Sequence, residues 1–374
     1  MNNRERAMNI LHYKKADRMP AVHFGYWDEL LVEWAEQGHI PKELSFQVYD
    51  GSEKDRELDK LIGWDFNWFT VRAGANFGLS PRFETKVIEE LPDGFLRIQN
   101  GDGLIERVKP GTSSIPAEDD YQLKDREAYE KLYLPKLQWS EDRIDRKALE
   151  WMKNQEDAKR DYPLGLHLGS VFGDIRNMLS VVGMSYLMCD DYDLLVEFVD
   201  AYANLQFKAA EEALKIYSGF DFAHYWEDIC FKNGPLLSPA MFEELCAKHY
   251  KKRNELVRDY GIDIISLDCD GVTEALLPVW FENGVNTMFP IEVGTWGDQF
   301  APARARYGRG MLGVGAMDKT AFRKDKAAVD AELARMQKLA ELGGFIPCPD
   351  HRLMPGSKFE LVKYYAQEIK KIKL

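Results

Sequence analysis

The run from Ile264 to Gly271, Ile-Ile-Ser-Leu-Asp-Cys-Asp-Gly, ends a β-rich stretch in two carboxylates, a thiol and a glycine. Side chains alternate between the faces of a strand, so Asp268 and Asp270 share one face and repel each other unless a cation lies between them. The alternative is that one of them caps a helix starting near Val272. Other strand ends carry comparable groups: His23 with Tyr26 and Trp27, His167, His224 with Glu227-Asp228, Glu292, Asp318, and Cys348-Pro-Asp350-His351. Each has a structural reading by itself, an imidazole hydrogen-bonded in packing or an Asp318 that N-caps the next helix. Gathered in one concavity, several acids and a few imidazoles fit a divalent-metal site better than a nucleophile triad. No Gly-x-Ser-x-Gly or phosphate-binding glycine loop competes.

What gathers them is the alternation of strands and helices. Strand-like runs fall near Pro20–Phe24, Phe66–Val71, Leu164–Leu168, Phe220–Tyr225, Ile262–Leu267, Asn286–Pro290, Met311–Val314 and Gly344–Pro347. Amphipathic helices intervene. Ser238-Pro239 supplies an N-cap and a first-turn proline for a helix that stops at Gly261, and Val329, Leu333, Met336 and Ala340 share a face before Gly343-Gly344. Eight such units predict an α/β (β/α)8 TIM barrel, one domain over residues 1–374 with an N-terminal helical extension. Such a barrel builds its active site just past the C-terminal ends of its strands. Residues from about 83 to 109 break the pattern and read as an inserted β-hairpin around Pro92-Asp93-Gly94. Glu118–Glu130 reads as a solvated excursion.

With 374 residues, 45% of them hydrophobic, the chain can bury a large core. A net charge of −13 and a pI near 5.2 exclude a nucleic-acid surface. No apolar run approaches the roughly 18 residues of a membrane span, and the N-terminus has no signal-like apolar segment, so a cytoplasmic location is expected. The five cysteines are odd in number, widely spaced and without a CxxC, the pattern of reduced thiols.

Three segments carry a family resemblance: Gly271 through Glu292, Gly315-Ala-Met-Asp-Lys319, and Gly343-Gly-Phe-Ile-Pro-Cys-Pro-Asp-His351. With Arg4-Glu-Arg-Ala, Asp17-Arg-Met-Pro20 and Glu227 through Pro239, their order resembles the uroporphyrinogen decarboxylase superfamily over most of the chain outside the hairpin. That resemblance implies a (β/α)8 barrel. Decarboxylases of the superfamily carry an Arg-Gln-Ala-Gly-Arg motif in the first loop, whereas this chain has His23-Phe-Gly-Tyr-Trp-Asp-Glu and no arginine from Met19 to Asp55. The other branch comprises corrinoid-dependent methyltransferases whose zinc is held by a His-x-Cys-Gly segment and a later Cys. Aligned through Gly271, Asp268 falls at that His, Asp270 at that Cys, and His351 near the later Cys.

Oxygen and nitrogen ligands leave zinc a harder Lewis acid than thiolates do. The resemblance therefore implies the substrate-side methyltransferase of an O-demethylase system, passing a methyl group from a methoxylated aromatic to the cob(I)alamin of a separate corrinoid protein. The implied ligands are Asp268, Asp270 and His351, with Glu227 or Cys348 as a fourth. His167, His224 and Glu227 are the candidate acid and base groups, and Tyr26, Trp27, Trp226 and Glu292 are candidates for substrate contact. The rival readings are a methylcorrinoid:thiol methyltransferase of the coenzyme M type, a metal-independent decarboxylase, and a non-catalytic tetrapyrrole-binding module. The loops around Cys348–Gly356 and 83–109 are candidate docking surfaces for the partner.

Overall fold

Short runs apolar on both faces become parallel strands, each ended by a polar residue or glycine. The structure, a computed structural model, describes residues 1–110, 116–156, 159–297 and 299–373. In chain order the strands are β1 (Val22–His23), β2 (Phe66–Asn67), β3 (Val71–Arg72), β4 (Lys86–Glu90), β5 (Leu96–Gln99), β6 (Leu104–Val108), β7 (Ala117–Tyr121), β8 (Gly165–His167), β9 (Phe222–Trp226), β10 (Cys230–Phe231), β11 (Gly234–Pro235), β12 (Ile265–Asp268), β13 (Thr287–Phe289), β14 (Leu312–Met317) and β15 (Phe345–Pro349). Seven of them form one parallel sheet in the order β15-β14-β13-β12-β9-β8-β3. β2 and β3 lie on the same pass of the chain, and β2 pairs in parallel with β1. Beyond the strand ends, the Trp27 N–H donates to the Leu353 carbonyl at 2.9 Å and the Leu353 N–H to that of Gly25 at 3.0 Å. This parallel bridge returns the last strand to the first, so eight passes ring one axis, as the alternation predicts.

The N-terminal extension is the helix Asn3–Leu11, opened by a capping box in which Asn2 and Glu5 each accept the other's backbone N–H. Helix Pro239–Asp259 starts on Ser238, whose hydroxyl accepts the Met241 N–H. No helix among the described residues is long and apolar enough to cross a membrane. The insertion is larger than a hairpin: β4-β5-β6-β7 form a four-stranded antiparallel sheet. Its last strand, β7, lies in the stretch expected to be a solvated excursion, and polarity hid it. Glu118, Asp119 and Asp120 are acceptable in a strand because Asp119 pairs with Arg97 across the sheet and Glu118 accepts the Val181 N–H at 2.9 Å. That last bond ties the sheet to helix Gly173–Asp190.

Candidate functional site

At the C-terminal rim the interior of the barrel is aromatic. Phe24 lies 4.6 Å from Phe289 between ring centroids, and His224 lies 5.1 Å from Phe69 and 5.7 Å from Phe289. Above them the Arg352 guanidinium sits 5.2 Å from the Phe24 ring and 5.8 Å from Phe69. His351 packs on Phe24 at 5.3 Å and is stacked at 6.1 Å by Trp27.

Acids line this mouth. Strand alternation puts Ser266 and Asp268 of β12 on the interior face, where the Ser266 hydroxyl meets His224 Nδ1 at 3.3 Å. Asp268 is only 6% exposed, and its carboxyl is pushed well above the usual range, first by burial and then by the charges of Asp270 and Asp228. Asp270 Oδ1 is buried without a hydrogen-bond partner, and its Oδ2 lies 3.3 Å from His351 Nε2. Asp228, in the left-handed region at φ 46°, stores backbone strain beside them. Burial raises its carboxyl, and the Arg176 guanidinium at 3.5 Å opposes the shift. Glu292 is fixed by the Trp296 indole N–H at 2.6 Å and the Lys319 ammonium at 3.0 Å. Lys319 also faces Asp350, whose carboxylate accepts the Val293 and Gly294 N–H groups. Arg352 is held by two hydrogen bonds to Asp50, at 3.1 and 2.6 Å, so the last loop supplies a guanidinium to the arginine-free first loop.

Thus Asp268, Asp270, His351, Glu292 and Trp27 meet at one rim, and Trp226 ends β9 in register with Asp268. Other expected members do not join them. Glu227 is fully buried, and its carboxylate accepts from the Ser170 and Tyr250 hydroxyls and from the Val171, Phe172 and Gly173 N–H groups, leaving nothing for a metal or a proton transfer. It shares the helix-facing side of β9 with Tyr225, which bonds Asn254. Cys348 is fully buried; Asp350 is the charge that raises its thiol after burial, and it acts in turn on Tyr365 in the outer helix Phe359–Glu368. Neither completes a ligand set with the two aspartates. Tyr26 packs into the core between His23 and Trp34, 5.1 and 5.8 Å away, rather than toward substrate. His167 and His224 are corrected as acids: burial lowers His167 to about 4 and His224 well below the ordinary value, so both are neutral near pH 7. The Gly169 N–H donates to His167 Nδ1, so the neutral ring carries its proton on Nε2.

Sequence reading missed the cations Arg176, Lys319 and Arg352; the adjacency of Arg352 to His351 was the available signal. It named His23 among the strand-end groups but missed Asp55 and Asp59, whose ligand atoms lie close enough to that of His23 to share an ion. Their hydrogen bonding fits a neutral imidazole beside buried carboxylates instead. The Gly25 N–H occupies the His23 Nδ1 lone pair, which places the ring proton on Nε2, 2.7 Å from Asp59 Oδ1. A metal-bound imidazole needs that lone pair on Nε2 free and a proton on Nδ1. Asp55 is held by the Gly51 N–H and the Asn67 amide, and burial raises it to about 6.

Fold and site together define a (β/α)8 barrel with an acidic, aromatic mouth. No family model and no curated protein matches the sequence. Among solved structures, a methyltransferase from Methanosarcina mazei shares the fold, with a TM-score of 0.61 and 14% identity over 99% of this chain and 98% of that one. A B12-independent methionine synthase from Shewanella sp. W3-18-1 aligns at a TM-score of 0.45 and 12% identity, over 95% of this chain and 98% of that one.

Proposed function

We propose that this chain is a zinc-dependent methyltransferase that moves a methyl group from a methoxylated aromatic to the cob(I)alamin of a separate corrinoid protein. The observation that supports this reading is the pair Asp268 and Asp270: two interior carboxylates, one oxygen of the pair orphaned, with an imidazole 3.3 Å away. Neighbouring carboxylates with one oxygen orphaned are stabilised by a cation between them. Their oxygen and nitrogen donors suit zinc, which Asp268, Asp270 and His351 would hold once Asp268 closes on the other two, since among the described residues only His23, Asp55 and Asp59 already bring three ligand atoms within 4.8 Å of one another. When bound, zinc supplies Lewis acidity to the ether oxygen. The chain's own residues do the rest. Trp27 and Trp226 offer flat faces to an aromatic ring, and Phe24, Phe69 and Phe289 keep water from below it.

Full-length chain overlap with the methanogen methyltransferase also supports methyl transfer. The thiol-directed rival, which needs a thiolate on the metal from Cys269 or Cys348, loses support because burial pushes both thiols well up. The test supplies zinc-loaded protein with a methoxylated aromatic and a cob(I)alamin protein, and separately with methylcobalamin and a thiol. Methylcobalamin formed in the first mixture is the expected result; turnover confined to the second overturns the proposal.

A further inference from the structure

We propose that the mouth selects an uncharged methoxyarene and rejects one carrying a carboxylate, an inference that rests on the methyl-transfer reading above. Asp228, the pair Asp268 and Asp270, and Glu292 lie at or just past the ends of three adjacent strands, with the Glu227 N–H on the Asp268 carbonyl at 2.8 Å and Asp270 beside His351 at 3.3 Å. The cations beside them are already engaged: Arg352 by Asp50, Lys319 by Glu292 and Asp350, and Arg176 by Asp228 and the Asn177 side chain. A substrate carboxylate would meet cations whose charge these carboxylates already offset, or lie against like charge. A divalent ion between Asp268 and Asp270 offsets only those two, leaving Asp228 uncompensated except through Arg176 at 3.5 Å. The remaining walls are Trp27, Trp226, Phe24, Phe69 and Phe289, which suit an uncharged ring. A neutral His167 adds no positive charge near pH 7.

The test is equilibrium binding, followed by tryptophan fluorescence, of a methoxyphenol and of its ring-carboxylated counterpart to the zinc-loaded full chain near neutral pH. The uncharged ligand binds at least about tenfold tighter, and added salt narrows the ratio. Asp228→Asn keeps a residue type that tolerates left-handed backbone and narrows the ratio by raising carboxylate affinity. Asp50→Asn, which weakens the hold on Arg352, acts in the same direction through a different residue. Equal or reversed affinities, binding of neither ligand, or ratios unmoved in both variants overturn the proposal. Adding the cob(I)alamin protein reads the methyl-transfer function separately. Selective binding without methyl transfer refutes that function and leaves the selectivity measured.

Discussion

His351 Nε2 lies 3.3 Å from Asp270 Oδ2, joining the loop after the last barrel strand to the end of β12 across 81 residues of chain. The contact leaves Asp270 Oδ1 buried and unpartnered. On the proposed reading, a divalent ion would take up that oxygen. Elemental analysis of purified protein should give about one zinc per chain, and Asp270→Ala should lose it while remaining folded. Cys348→Ser should keep the metal. Full zinc occupancy in Asp270→Ala would end the ligand assignment.

Glu227 should prove a structural residue. Its carboxylate gathers three consecutive N–H groups at the start of helix Gly173–Asp190, together with two hydroxyls. Glu227→Ala orphans them in a dry environment, which costs about 3 kcal/mol or more. Denaturant unfolding measures the loss, while zinc content per folded chain should not change.

Trp27 and Tyr26 are neighbours in sequence with separate tasks. Trp27→Ala should weaken methoxyarene binding about tenfold or more, because it removes the face stacked over His351, with little change in unfolding midpoint. Tyr26→Phe deletes a buried hydroxyl that has no hydrogen-bond partner. That variant should match or exceed the parent's stability by up to about 1 kcal/mol, with unchanged affinity. A reversal of the two phenotypes in paired binding and unfolding measurements would contradict this division.

The depressed pKa of His167, about 4, gives a pH dependence of definite sign. Between about 6.5 and 4 the unfolded chain binds the proton and the folded chain does not, so stability is full above this window and falls as pH drops through it. His167→Asn should flatten that decline, since asparagine can cap the i+2 N–H as Asn67 does for Phe69, but does not titrate. The readout is the difference between the two proteins' unfolding free energies at pH 7 and pH 4.5. Parallel pH profiles would exclude His167 as the source.

Much of this architecture is legible in the order of residues. Strand runs such as Ile262–Leu267 and Gly344–Pro347 are short, apolar and bounded by polar or glycine residues, so local preference and burial agree, and they appear as β12 and β15. The two-residue period puts Asp268 and Asp270 together before any contact is known. The same period, applied to β9, sets Glu227 on the Tyr225 side, opposite His224 and Trp226; the chain held that information, and chemical type outweighed it in the choice of ligands. β7 was not legible, because its acids become strand residues only when Arg97 is beside them.

The sequence by itself determined which side chains could reach the barrel's rim, because alternation and the βα repeat are local properties of the chain. Tertiary structure alone decided their chemical states. Whether His167 carries a charge depends on burial and the Gly169 N–H, whether Arg352 is free depends on Asp50, and whether Glu227 can bind an ion depends on five donors. Solvation and hydrogen bonding between distant segments set a group's protonation and availability, and neither exists until those segments pack.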